Sequence, residues 1–288
     1  MSSKNPLSKH FRKPKIYMTV PTKGIFNPEI ETSLAGDIGI LSMTAMDELI
    51  LKNPDALLNG EAVITVIESC VPAIKNPKEL ASIDVEALII AIKYATYGSE
   101  LTHHHTCSEC GAISDYTIDL NYIINRFPEY DHEPIIEHDG AKLHIRPPTV
   151  EITTKRALVD LEQTSVIRKL KDMIENSTAD ETTDTDIEVS KRFFDSYKKI
   201  ASYNIDIIAN LIRYVEMVDD QGEKQIVDNV EHIREFISNS PKNVVDKITD
   251  ILLKEFEPNE DLYMFEFTCP ECNHTSKVKM DMNPINFS

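Results

Sequence analysis

The chain has no tryptophan, only 8 glycines in 288 residues, and no apolar run approaching the ~18 residues that span a bilayer. The scarcity of glycine excludes collagen-like and Gly-rich architectures and long flexible linkers. The missing apolar run leaves no membrane role to read. Cations are scarce as well: 30 Lys+Arg stand against 48 Asp+Glu, a net charge of −18. A protein whose main task is to coat nucleic acid needs the opposite field, because phosphate neutralisation supplies most of that affinity. What remains, 41% hydrophobic and 27% charged, is the composition of an ordinary globular protein long enough for two domains. The start of the chain, with Lys4, Lys9, Arg12, Lys13 and Lys15, has no apolar stretch behind it and is not a secretory signal. Residues 1–15 read as a disordered basic arm, the alternative being a tail that docks on an acidic partner or on the protein's own acidic body.

The five cysteines carry the strongest chemistry. Cys70 stands alone in an apolar stretch and reads as core packing. Cys107/Cys110 and Cys269/Cys272 form two Cys-x-x-Cys pairs, which in a chain without a signal read as metal ligands in a reducing cytoplasm rather than as disulfides. The two segments, Thr106-Cys-Ser-Glu-Cys-Gly111 and Thr268-Cys-Pro-Glu-Cys-Asn273, match in design. Each follows a strand-like run, and each ends in a residue that tolerates the left-handed backbone needed just past the second thiolate. Two such knuckles supply four sulfurs for one closed, structural zinc site. The spacing is unusual, because 158 residues lie between Cys110 and Cys269. The expectation is a split zinc ribbon with a helical insertion. Structural zinc sites are worth on the order of 10–16 kcal/mol, while closing so long a loop costs about 5 kcal/mol, so the metal wins. A redox dithiol and two separate metal sites are the alternatives.

Hydrophobic periodicity then divides the chain. Short strands are expected around 15–20 and 37–41, followed by helices at 45–52, 61–71 and, capped by Asp84, 85–97. Asn53-Pro54 is expected to break the first of these and start another helix. The period changes to two around the first knuckle, with a hairpin at His138-Asp139-Gly140-Ala141. From 149 to 257 the chain reads as nearly all helix: 152–175, a polar loop at 177–186, a long helix over 187–218 closed by Gly222, a third around Ile226–Ile237 and a fourth opened by Ser240-Pro241. These four helices are expected to bury one another as a bundle. The fold class is therefore α+β and mostly helical. Its parts are the basic arm (1–19), an N-terminal, mainly helical region (20–102), a split ribbon (103–148 and 258–288) and the inserted bundle (149–257).

No enzyme is read from the remaining motifs. His103 and His105 share a strand face but lead only into the knuckle. His132-Glu133 is followed by Ile136 where a zincin needs histidine. His274 would be a surplus ligand, and Asp180, Asp184 and Asp186 lack the glycine and glutamate of a calcium loop. There is no P-loop, nucleophile elbow or dinucleotide fingerprint, and carboxylate spacing selects no acid–base pair.

The order of several phrases is informative: Val20-Pro-Thr-Lys-Gly24, Met43-Thr-Ala-Met-Asp-Glu48, Asn53-Pro-Asp-Ala-Leu-Leu-Asn-Gly60, Glu68-Ser-Cys-Val71, the helix start at Asp84, Tyr94-Ala-Thr-Tyr-Gly98, and the ending Phe267-Thr-Cys-Pro-Glu-Cys272 through Asn283-Pro-Ile-Asn-Phe287. Over about 20–125 and 260–288 the chain resembles the baseplate hub proteins of T-even-like contractile-tailed bacteriophages. The resemblance implies a structural or assembly role in the baseplate, exercised through contacts with other tail proteins or with further copies of the chain. It implies a location in the virion tail, or in the host cytoplasm during assembly. It brings no catalytic residues; the four-cysteine site at Cys107, Cys110, Cys269 and Cys272, with one zinc per chain, is what it carries over. Three surfaces stand out for partners: the basic arm, the tail Met280–Phe287, and a face of the long helix bearing Ile205, Ile207 and Tyr214. The alternative function is a zinc-ribbon nucleic-acid-binding or transcription factor, with Lys277 and Lys279 beside the second knuckle.

Overall fold

The structure is a computed structural model that describes residues 7, 10–27, 30–34, 36–53, 60–176, 184–218, 222–256 and 260–279. It is mixed α/β and divides into two compact units, one of Met1–His132 with Glu257–Ser288, the other of Glu133–Phe256. The expected break before Pro54 is seen, the first helix ending at Leu51, whereas the second helix expected to start there, most of the polar loop at 177–186 and the tail Met280–Phe287 lie outside the described residues.

The first unit opens with β1 (Ile16–Met18), paired antiparallel to β2 (Ile38–Ile40). Helix α1 (Ala45–Leu51) starts on a reciprocal capping box: Thr44 Oγ1 accepts from the Asp47 N–H, and the Asp47 carboxylate accepts from the Thr44 N–H. Helix α2 (Glu61–Cys70) buries Ala62, Val66, Ile67 and Cys70. Helix α3 (Ser82–Tyr97) is apolar nearly all round, and its residues Ala87–Ile92 are all buried, as such a helix must be. Gly98 ends it at φ 101°. The expected cap at Asp84 is corrected: the helix begins three residues earlier, at Ser82, with Ala81 at the cap. Asp84, fully buried in the first turn, instead accepts hydrogen bonds from the Thr22 N–H (2.9 Å) and Thr22 Oγ1 (2.5 Å). It thereby ties the Pro21–Gly24 turn to the core helix. Burial pushes its carboxyl up to about 6 despite those two donors.

Arg12 ties the basic arm to the body of the first unit. Arg12 donates to the carbonyls of Ser42 and Ser69 and to Ser69 Oγ, and pairs with the buried Asp47 carboxylate at 3.4 Å. At Arg12, then, the expectation of disorder gives way to docking on the protein's own acidic body. Cys70 lies beneath, 3.7 Å from the guanidinium, its thiol pushed up to about 11 by burial and by Asp47. That is the inert core cysteine the sequence indicates.

After β3 (Glu100–Thr106), β4 (Ile113–Asp119) and the short α4 (Leu120–Ile124), the second unit begins. Strands β5 (Ile135–His138) and β6 (Ala141–Ile145) form the expected hairpin, with Asp139 (φ 48°) and Gly140 (φ 81°) both left-handed as a type I′ turn requires. Helices α5 (Val150–Asn176) and α6 (Asp184–Asn210) follow. The long helix expected over 187–218 stops at Asn210, and the chain continues as β7 (Ile212–Val218) and β8 (Lys224–Val227). The reason is local. Ile212-Arg-Tyr-Val-Glu-Met-Val218 is β-branched and aromatic, and its burial fits a strand pairing both β6 and β8. Gly222 accordingly belongs to the β7–β8 connection, and Ile226 lies on β8 rather than on a helix. The antiparallel sheet runs β5-β6-β7-β8, so the 149–257 segment is not all helix. Helix α7 (Val230–Asn239) is capped by Asn229, whose side chain accepts from the N–H groups of Glu231 and His232. Ser240 does not cap the next helix: its hydroxyl donates back to the Phe236 carbonyl, and Pro241 caps α8 (Lys242–Ile251). Ile207 is half-buried in a groove of about 350 Å³ between α5 and α6, while Tyr214 lies on β7, so the two share no helix face.

Candidate metal centre

The chain returns to the first unit through β9 (Met264–Thr268) and β10 (Thr275–Lys279), an antiparallel hairpin like β3–β4. Each hairpin's turn is a Cys knuckle, and the two are built alike bond for bond. The Cys107 N–H donates to the Ala112 carbonyl (2.9 Å) and the Gly111 N–H to the Cys107 carbonyl (3.0 Å). In the second, the Cys269 N–H donates to the His274 carbonyl (2.9 Å) and the Asn273 N–H to the Cys269 carbonyl (2.9 Å). Gly111 (φ 71°) and Asn273 (φ 58°) occupy the same left-handed position after the second cysteine of each pair. That is the conformational demand legible in the sequence.

The hairpins bring all four thiols together. Cys107 Sγ lies 3.7 Å from Cys272 Sγ, Cys110 Sγ lies 3.7 Å from Cys269 Sγ, and all four sulfurs fall within 4.8 Å of one another. A tetrahedral zinc with bonds of about 2.3 Å has sulfur–sulfur edges of about 3.8 Å, so the donor set and its size fit one such ion. Cys107 and Cys269 are buried, whereas Cys110 and Cys272 are exposed. The backbone N–H groups of Cys110 and Glu109 pull the Cys107 thiol down to about 6. Cys272 goes the other way: although the His274 N–H acts to lower it, burial and proton sharing with Cys110, Cys107 and Cys269 push it up to about 12. Four thiolates this close repel one another, and a bound cation is what removes that penalty.

Around the sulfurs, Phe267 and Val278 are buried with Cys107 and Cys269, and Ala112 and Tyr116 pack against them. His103 and His105 share a face, as expected, and both stack edge-on against Tyr116, at 5.5 and 6.4 Å. His104, on the other face, pairs with Asp115. Among the described residues the four cysteines are the one group with metal-ligand geometry. Beyond the hairpins, Tyr263 donates to Glu86 on α3 (2.7 Å), and Arg126 donates to the Asp261 carbonyl (2.9 Å), fixing the returning segment.

Sequence spacing missed three polar clusters. Asp84 reads as a cap and Asp47 as a first-turn acid, and no periodicity discloses that Thr22 and Arg12 are their partners across 62 and 35 positions. In the second unit, Glu133 accepts from Arg213 (3.3 Å) and Tyr214 Oη (3.3 Å), and its carboxylate lies 3.0 Å from Nδ1 of the buried His144. Tyr214 stacks on that imidazole at 4.1 Å.

A mixed α/β protein whose two distant knuckles converge on a four-thiol cluster is thus the class that fold and site define. Residues 33–287 match the family described as T4 bacteriophage base plate protein, and the chain belongs to that family. Neither a curated protein nor a solved structure matches the chain.

Proposed function

We propose that this phage baseplate protein is a structural or assembly component of the baseplate hub, working through protein–protein contacts and held in shape by one zinc on Cys107, Cys110, Cys269 and Cys272. The observation that carries the metal is the pair of matched knuckles whose sulfurs sit at 3.7 Å, the edge length of a zinc–thiolate tetrahedron. With four protein sulfurs the ion has no open position for water, so it stabilises and does not catalyse. The role as a split ribbon follows from chain order. The knuckles flank the 133–256 unit in sequence, and zinc would clasp the two ends of the chain between which that unit is inserted. The hub assignment rests on the ordered phrases of the sequence together with the family. The nucleic-acid alternative draws no support from the family or from the net charge.

Metal analysis of purified protein is the test. One zinc per chain is expected, and Cys107→Ser and Cys269→Ser should each abolish it, since the knuckles share an ion. Two independent metals, or full retention in either variant, would overturn the shared site. Co-expression with other baseplate proteins tests the hub role separately, through stable co-purification. Binding to DNA that weakens steeply with salt would instead favour the nucleic-acid reading.

A further inference from the structure

We propose that the open edge of β8 is a contact between two copies of this chain, whose β8 strands pair antiparallel about a two-fold axis at Ile226. The contact joins two four-stranded sheets into one, and it needs neither the zinc nor the hub reading. Strand β8 closes the order β5-β6-β7-β8 and has no further strand beside it among the described residues. Its free groups follow from the register of the whole sheet. The Ile145 N–H donates to the Pro134 carbonyl, so Leu143 and Ile145 bond toward β5. Lys142 and His144 then bond toward Glu216 and Tyr214 of β7, which turns Val215 and Met217 toward Val227 and Gln225 of β8. Lys224 and Ile226 are left with N–H and C=O groups that point out of the sheet. Such an edge is a template for another strand, and the side chain at its middle, Ile226, is 63% exposed.

The second strand is identified by its charges. Side chains alternate along a strand, so Lys224, Ile226 and Asp228 share one face, and the backbone is still extended at Asn229 (φ −70°, ψ 113°). All three are exposed, and neither Lys224 nor Asp228 forms an ion pair among the described residues. Bonds across the edge can be exchanged only between residues whose backbone groups point outward, which leaves few registers. An axis at Lys224 sets lysine against lysine. One at Gln225 sets each Lys224 against Ile226, and one at Val227 sets each Ile226 against Asp228. The axis at Ile226 sets Ile226 against Ile226 and each Lys224 against Asp228 of the other copy. Opposite charges directly across an antiparallel ladder stabilise it, whereas like charges there destabilise it. An edge complementary to itself in this way is what a two-fold contact requires.

Sedimentation equilibrium of the full chain and of two charge-swapped variants tests the contact. The natural chain should dimerise at about 100 μM, since one strand from each copy makes a small interface. Lys224→Glu and Asp228→Lys should each weaken dimerisation at least about tenfold with an unchanged circular dichroism spectrum, because each sets like charges across the axis twice. Mixed together, the two variants should dimerise as the natural chain does, because every charge then meets its opposite. Amide exchange supplies a second readout: the Ile226 amide should exchange at least about tenfold more slowly in the dimer than in the dilute monomer. A natural chain that stays monomeric, single variants that dimerise unchanged, a mixture that stays monomeric, or an Ile226 amide indifferent to dimerisation would each overturn the proposal. Protection of that amide only on adding another baseplate protein would overturn it too, making the added strand a foreign one.

Discussion

Asp84 makes a quantitative prediction, because its carboxylate is wholly buried and, among the described residues, its donors are the two of Thr22. Its pKa of about 6 against 3.8 for a free side chain means that the ionised form is penalised by about 3 kcal/mol in the folded state. The sign follows from linkage. A raised folded pKa contributes stability that is fully present below about 3.8 and is lost as pH rises through about 6. Asp84→Asn should remove the penalty while keeping both bonds, the amide oxygen accepting from the Thr22 N–H and the amide nitrogen donating to Oγ1. At pH 8 the variant should therefore be the more stable, by up to about 3 kcal/mol. That advantage should shrink by about half on going to pH 5, where the natural carboxyl is mostly protonated. Urea unfolding followed by circular dichroism at the two pH values measures this. Comparing the two proteins at each pH cancels every titration they share, including that of the cysteine cluster. Asp84→Ala separates charge from hydrogen bonding: it strands the N–H and hydroxyl of the fully buried Thr22, at about 1–3 kcal/mol each, and should destabilise at both pH values. A stability gap between Asp84→Asn and the natural protein that stays constant from pH 5 to 8, or widens toward acid, would refute the buried-charge argument.

What was legible in the sequence divides by range. The knuckles were, because Cys-x-x-Cys followed by Gly111 or Asn273 states a local backbone demand that no tertiary contact has to supply. Helix α1 was legible through Thr44 and Asp47, three residues apart, and the β5–β6 turn through Asp139-Gly140. The β7 segment was not. Ile208, Leu211, Ile212 and Val215 satisfy helical spacing as well as a strand's burial does, and pairing with β6 and β8 decides the matter. Ser240-Pro241 was legible as a boundary but not in its chemistry, because a hydroxyl there serves the helix that ends as readily as the one that starts. Arg12 with Asp47, Thr22 with Asp84, and Glu133 with His144 are partnerships set by packing alone, and one sequence carries no pattern that pairs them.

Two further outcomes follow from local geometry. Arg12→Ala removes the one cation paired with the buried Asp47 carboxylate among the described residues and leaves it the neutral donors Thr44, Ser69 and Cys70, so a loss of about 3 kcal/mol in urea stability is expected, and Arg12→Lys, lacking the fork that reaches both carbonyls, should restore only part of it. The second concerns Asn273, whose φ of 58° repeats that of Gly111 in the other knuckle. This left-handed conformation turns the chain back into β10, where the His274 carbonyl accepts from the Cys269 N–H and closes the knuckle. A β-branched residue meets a clash there worth about 1–2 kcal/mol, which glycine avoids. Because the proposed zinc would bind only the folded knuckle, the strain should appear in metal affinity: about tenfold weaker zinc binding for Asn273→Val, since 1.4 kcal/mol is a factor of ten, and a near-natural value for Asn273→Gly. Competition against a chromogenic chelator measures both. If valine and glycine weaken binding equally, the side-chain amide of Asn273 is what matters; if neither does, the knuckle's backbone conformation is not coupled to the metal at all.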